Sequence, residues 1–143
     1  MDAYDKAISI LALREHSSKE LKDKLLAKGY KEEDIDSALK TLKEEGYLSD
    51  ERYAECFVRF ALRKRAEGKS LVMMRLQEKG ITKTLASDSV NAAWENEEYF
   101  PTLQKEWSKL YKKYGEEKAE AKLRAKGFTS SEIRKVRERE DEE

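Results

Sequence analysis

The residues with the most chemical promise are cations. Residues 59–83 hold Arg59, Arg63, Lys64, Arg65, Lys69, Arg75, Lys79 and Lys83 against only Glu67 and Glu78. Arg75 and Lys79 are four apart, so on a helix they face the same way. A second set, Lys105, Lys109, Lys112 and Lys113, recurs at near-helical spacing. Lys118, Lys122 and Lys126 follow it at intervals of four. Cations grouped this way either keep a helix face solvated or meet a phosphate backbone or an acidic protein groove. The residues alone leave both uses open.

Catalytic chemistry has little to work with. One histidine and one cysteine cannot make a zinc set, and no Gly-rich phosphate loop is present. His16 reads as a turn residue with a structural part. Cys56, flanked by Phe57, Val58 and Phe60, is expected in a core or at its edge. As the only cysteine, it cannot form an intrachain disulfide. Asp23, Glu44, Glu45 and Asp50 read as caps and solvated faces rather than acid–base groups. The expectation is a protein with no catalytic activity, cofactor or metal.

The elements that must carry the cations are helices. The chain of 143 residues is 42% charged and 38% hydrophobic, with one proline and six glycines. Thin helical layers with wide wet faces suit that balance better than one deep core. No sustained alternation marks a half-buried strand. Thirty basic and thirty acidic residues cancel overall, but the charge falls in blocks. Residues 1–50 hold twelve acids against nine bases, and residues 102–126 hold eight bases against four acids. Separate surface patches follow from such blocks. No run is apolar enough for a membrane span and no signal peptide is apparent, so a cytoplasmic protein is the expectation.

Taken in order, apolar periodicity and end signals give nine helices. The first spans about Ala3–Glu15. Ser17 and Glu20 stand at capping-box spacing before the second, which ends at Gly29 with Tyr30 as a plug. The third carries Ile35, Ala38, Leu39 and Leu42 inward and stops at Gly46. Tyr47 and Leu48 read as apolar anchors in the turn, with Ser49 or Asp50 capping the next helix. The fourth runs from about Asp50 to Ala66 and is broken by Gly68, and Phe60 sits off its apolar stripe. The fifth ends at Gly80, with Ile81 as its plug. Thr82 caps the sixth. Pro101 opens the seventh, Gly115 breaks it, and the eighth ends at Gly127–Phe128. Thr129 and Glu132 start the ninth. The charged tail from Arg137 to Glu143 is expected to fray.

The helix ends repeat. Leu25-Leu26-Ala27-Lys28-Gly29-Tyr30 overlays Leu76-Gln77-Glu78-Lys79-Gly80-Ile81 and then Leu123-Arg124-Ala125-Lys126-Gly127-Phe128. The apolar positions Leu21, Val72 and Ala119 and the breaks Ser17, Gly68 and Gly115 repeat with them. The fold expected is all-α: three tandem three-helix repeats, residues 1–47, 48–98 and 99–143, forming an elongated, curved array. Each unit is too small to bury much surface alone, so neighbours must share interfaces.

The run Gly46-Tyr47-Leu48-Ser49-Asp50-Glu51-Arg52-Tyr53-Ala54, with the three Leu-x-x-Lys-Gly ends, resembles the RecX family of bacterial recombination regulators. The likeness covers nearly the whole chain. It implies three tandem three-helix repeats and no enzymatic activity. It implies as partner the RecA filament on single-stranded DNA, whose recombination and SOS activities such proteins modulate, most often by inhibition. It also implies single- or double-stranded DNA as a further ligand, no membrane, and a monomer when free. The family's core motif falls on Gly46, Tyr47, Leu48, Asp50, Arg52, Tyr53 and Ala54. The contact set suggested for partner or DNA is Arg59, Arg63, Lys64, Arg65, Lys69, Arg75, Lys79, Lys105, Lys109, Lys112 and Lys113. Autonomous DNA binding without RecA is the alternative.

Overall fold

Local chemistry satisfies the free backbone groups where most helices start. In the computed structural model, which describes residues 1–142, helix α1 (Ala3–Leu11) starts at Asp2, whose carboxylate accepts the Asp5 N–H. Helix α2 (Ser18–Ala27) has the full capping box. Ser17 Oγ accepts from Glu20 N, and the Glu20 carboxylate accepts from Ser17 N. Helix α3 spans Glu32–Glu44. Ser49, rather than Asp50, caps α4 (Asp50–Phe60). Helices α5 (Lys69–Glu78) and α6 (Lys83–Glu95) follow, with Thr82 capping α6. Pro101 sits in the first turn of α7 (Phe100–Tyr114), where its missing N–H costs nothing. Helices α8 (Glu116–Ala125) and α9 (Ser130–Glu142) complete the chain, and Thr129 and Glu132 bond reciprocally at the start of α9.

The three Lys-Gly ends are one structure made three times. Gly29, Gly80 and Gly127 all take positive φ, 91°, 84° and 93°. In each, the N–H of the plug residue returns to the carbonyl of the leucine five residues earlier. The pairs are Tyr30 to Leu25, Ile81 to Leu76 and Phe128 to Leu123, at 3.1–3.2 Å. This closure uses orphan carbonyls of the last turn and needs a left-handed residue, which glycine supplies without strain.

The helices group in threes, but the apolar interior divides in two. Ala7, Ile10, Leu21, Leu25, Ile35, Leu39, Leu42 and Leu48 form one core within α1–α3 and the turn after it. A second core runs without a break through α4–α9, from Tyr53 and Val58 through Leu76 and Val90 to Leu103, Trp107, Leu123 and Val136. The molecule exposes 8868 Å², against roughly 7,600 Å² for a compact monomer of its mass. That excess fits an extended array.

Neighbouring repeats meet through the same backbone group. Ser17 Oγ donates to Lys79 O at 2.7 Å, and Gly68 N donates to Lys126 O at 2.7 Å. In both joints the start of one repeat's second helix sits on the end of the next repeat's second helix. The second joint is so close that a Cβ on Gly68 would lie 2.1 Å from the Gly127 carbonyl carbon and oxygen.

Five expectations need correction. The fourth helix is not α-helical to Ala66. It ends at Phe60, widens into one π-helical turn, Ala61–Arg65, and is stopped by Ala66 at φ 47°. Gly68 is therefore the residue before α5, with φ −80°, and its smallness serves the joint rather than the break. Cys56 is exposed, because Tyr53, Ala54, Val58, Ala61 and Leu62 take the buried stripe. Of the two turn anchors only Leu48 is buried; Tyr47 is 55% exposed. The charged tail remains helical to Glu142, and Glu143 lies outside the described residues.

Candidate functional site

Between the first two repeats lies an open cleft of about 720 Å³. Its apolar surface comes from Tyr53, Cys56, Phe57 and Phe60 of α4. Its cations are Arg14 from the segment after α1, Arg65 from the π turn, and Arg75 and Lys79 from α5. The π turn and the left-handed Ala66 aim this corner. Arg65 lies over the Phe60 ring, 5.4 Å from its centre. Glu67, almost fully buried, takes Arg75 Nε at 2.8 Å and Arg65 Nη1 at 3.8 Å.

A second carboxylate organises the opposite wall. Glu20 accepts from Ser17 N and from Arg14 Nη2 at 3.2 Å, with Lys79 Nζ at 3.6 Å. It thus draws cations from two repeats. Burial raises its pKa, but the bonds from Arg14 and Ser17 outweigh that and the net shift is downward. Burial first, then the Glu20 carboxylate that its hydroxyl bonds, drives the Tyr53 pKa upward, so this hydroxyl stays protonated. Each of the two glutamates thus gathers two cations, and with Glu15 and Glu78 also in the lining the cleft's charges balance.

The suggested contact residues divide into groups. Arg65, Arg75 and Lys79 converge on the cleft in ion pairs. Arg59 and Arg63 line a separate hollow with Leu62 and Glu98. Arg59, Arg63, Lys64 and Lys69 are exposed. Lys105, Lys109, Lys112 and Lys113 are exposed on α7. Lys113 and Lys122 both stand over the Tyr114 ring, at 5.3 and 4.5 Å. Lys126 pairs with Glu106. Sequence reasoning did not assign Arg14, Glu20, Glu67 or the aromatic floor to a site. Glu20 was visible only as a cap, and nothing local announces that its second oxygen meets the next repeat.

The motif from Gly46 to Ala54 works as a brace. Gly46, at φ 83°, turns the chain. The Arg52 guanidinium fixes that turn, donating to Gly46 O and Tyr47 O at 3.1 Å and to Glu15 Oε1 at 2.6 Å. Asp50 Oδ1 accepts Ser18 N at 2.8 Å and Ser18 Oγ at 3.0 Å, across to the start of α2. Leu48, Tyr53 and Ala54 are buried. No group of His, Cys, Asp or Glu side chains suited to a metal ion occurs among the described residues. No helix there is long and apolar enough to cross a membrane.

Comparison with known proteins places this geometry. Residues 3–42 match the first three-helix domain of RecX, and residues 49–89 match its second. The chain is 32% identical over 140 residues to the regulatory protein RecX of Vibrio vulnificus, covering 94% of this chain and 90% of that one. It is 31% identical to that of Legionella pneumophila, with 94% and 91% covered. Other relatives are longer. The match to the Clostridium perfringens protein, 34% identical, takes in 68% of this chain but only 46% of that one, so the chain spans about half the length of several relatives it matches. In structure, RecX from Lactobacillus salivarius superposes with a TM-score of 0.86 at 23% identity, covering 97% of this chain and 94% of that one.

Proposed function

Since the chain belongs to the RecX family, we propose that it is a non-catalytic regulatory protein that binds the RecA filament on single-stranded DNA and restrains its recombination and SOS activities. The observation that carries this reading is the membership itself. The distribution of charge agrees with it. Arg59, Arg63, Lys64 and Lys69 from the second repeat, and Lys105, Lys109 and Lys112 from the third, are exposed and make no ion pair among the described residues. Such cations can meet an anionic surface without first giving up a partner. The paired set, Arg65, Arg75 and Lys79, is held in the cleft and supports its shape. The protein acts in the cytoplasm, as a monomer when free.

Contact by an extended strip of repeats suits a filament, which offers the same surface at regular intervals. A strip that bridges neighbouring subunits resists changes in their spacing. Binding to naked DNA without RecA is the second reading, favoured by the unpaired cations of α4 and the π turn. The two separate in one experiment. Binding to preformed RecA–single-stranded-DNA filaments is compared with binding to the same DNA alone at physiological salt, with filament ATPase read alongside. Preferential filament binding with falling ATPase supports the regulator. Equal or tighter binding to naked DNA, with the steep salt dependence of counterion release, overturns it.

A further inference from the structure

The first repeat carries a second open groove, which shares only Glu15 with the lining of the inter-repeat cleft. It has a volume of about 580 Å³ and lies between α1 and the Gly46–Tyr47 turn. Ile8 and Leu11 form one apolar wall and Tyr47 the other. Tyr47 is 55% exposed, and Leu13, just beyond α1, is 85% exposed. A large aromatic side chain left half in water on the wall of a partly apolar groove marks a place where another surface fits. The brace at Arg52 holds the Tyr47 backbone, so the ring is offered from a fixed turn at low entropic cost.

Carboxylates outnumber cations around this groove. Asp5 and Glu15 line it, and Glu45 stands beside Gly46, taking the Tyr4 hydroxyl. Arg52 is the one cation in the lining, and its guanidinium is spent on Glu15 and the carbonyls of Gly46 and Tyr47. Glu15 Oε2 is buried and has no hydrogen-bond partner. A phosphate brought here meets carboxylates. A lysine or arginine meets complementary charge.

We propose that this groove docks a protein segment that presents an aliphatic or aromatic anchor beside a basic side chain. Resting on the filament reading above, the inference assigns the first repeat to the recombinase protein and leaves the DNA to the cations of the later repeats. The chain is then bipolar along its length. An acidic, apolar end grips protein, and basic faces lie toward the anionic strand.

The test puts a photo-crosslinking amino acid, p-benzoylphenylalanine, at position 47 of the full chain and illuminates it on filaments. Tyr47→Ala and Asp5→Asn are measured in parallel for filament affinity, DNA affinity and helicity. A covalent adduct with the RecA subunit is expected. Filament affinity should fall roughly tenfold for Tyr47→Ala, the loss of one central aromatic anchor, with DNA affinity and helicity unchanged. An adduct with DNA, or no adduct and unchanged affinity while the wild type still binds filaments, overturns the groove alone. A wild type that does not bind filaments removes the underlying reading, and the groove's assignment goes with it.

Discussion

Single residues in this protein are chosen for what stands next to them in space. Gly68 is the sharpest case. Its φ of −80° suits any residue, yet a Cβ there would overlap the Gly127 backbone at 2.1 Å. Backbone cannot swing aside as a side chain can, so Gly68→Ala should force α5 away from the α8–α9 turn. A cost of about 2–3 kcal/mol is expected, read as a fall in denaturant midpoint. A loss below about 0.5 kcal/mol would mean the joint is loose. His16 is the second case. It is buried, with Nδ1 at 2.9 Å from Arg14 O and Nε2 at 2.6 Å from Lys24 Nζ. Burial, with the charges of Arg14 and Lys24 adding to it, holds its pKa below the ordinary 6.5. The unfolded chain therefore takes up this proton first. Stability tied to His16 is fully present above about pH 6.5 and falls as pH drops from there toward the lowered folded value. Unfolding curves at pH 7.5 and 5.5 should show the drop in wild type and a smaller one in His16→Asn. At this scale the sequence was a fair guide to type and a poor one to surroundings. His16 as a structural turn residue was legible, but the exposure of Cys56 and Tyr47 was not. Burial on α4 is decided by which stripe the next repeats cover, and apolar neighbours in sequence do not report that.

Helix ends were the most legible elements, because their chemistry is local. A serine three residues before a glutamate, or a lysine before a glycine, satisfies backbone groups within one turn, and all three Lys-Gly ends close alike. The π turn at Ala61–Arg65 was hidden for the opposite reason. Its residues form helix well, so nothing local sets the last turn apart from the rest of α4. The elements also explain why one cap outranks its equivalents. Ser17 accepts from Glu20 N within its own helix and donates to Lys79 O in the next repeat. Gly68 and Gly115, at the same position in the later repeats, have no side chain to do either. Ser17→Ala should therefore cost about 1–2 kcal/mol, the upper part of the range for a lost cap, and should loosen the first joint as well. The check is a double-mutant cycle with Lys19→Ala, since Lys19 Nζ donates to Glu78 O across the same joint at 3.1 Å. Simple additivity would show that the two bonds act separately rather than as one seam.

For the whole molecule, three repeats were readable from sequence but two cores were not. The repeat motif marks where each second helix ends. It does not say that α7 packs against the π turn and extends the interior of α4–α6, while α1–α3 close on themselves. The consequence is a division of stability. Residues 53–136 share one continuous apolar interior and should open together. The first repeat is tied to them by Ser17–Lys79, Ser18–Asp50, Lys19–Glu78, Glu20–Lys79 and Glu15–Arg52, all polar, and most at least partly exposed to water. Polar contacts of that kind contribute about 0.5–1.5 kcal/mol each, less than a shared apolar core. The first repeat should thus unfold, or swing, below the free energy needed to open the rest. Native-state hydrogen exchange tests this through amides at buried positions in each of the two cores. Those of Leu21, Leu25 and Leu42 should exchange at a lower opening free energy and with a smaller denaturant slope than those of Val72, Leu76 and Leu103. One common free energy and slope for both sets would show that the polar seam couples the repeats as tightly as the shared core does. A separately yielding first repeat would also suit the proposed division of labour, because an end that grips protein could then adjust its angle while the basic faces stay in place.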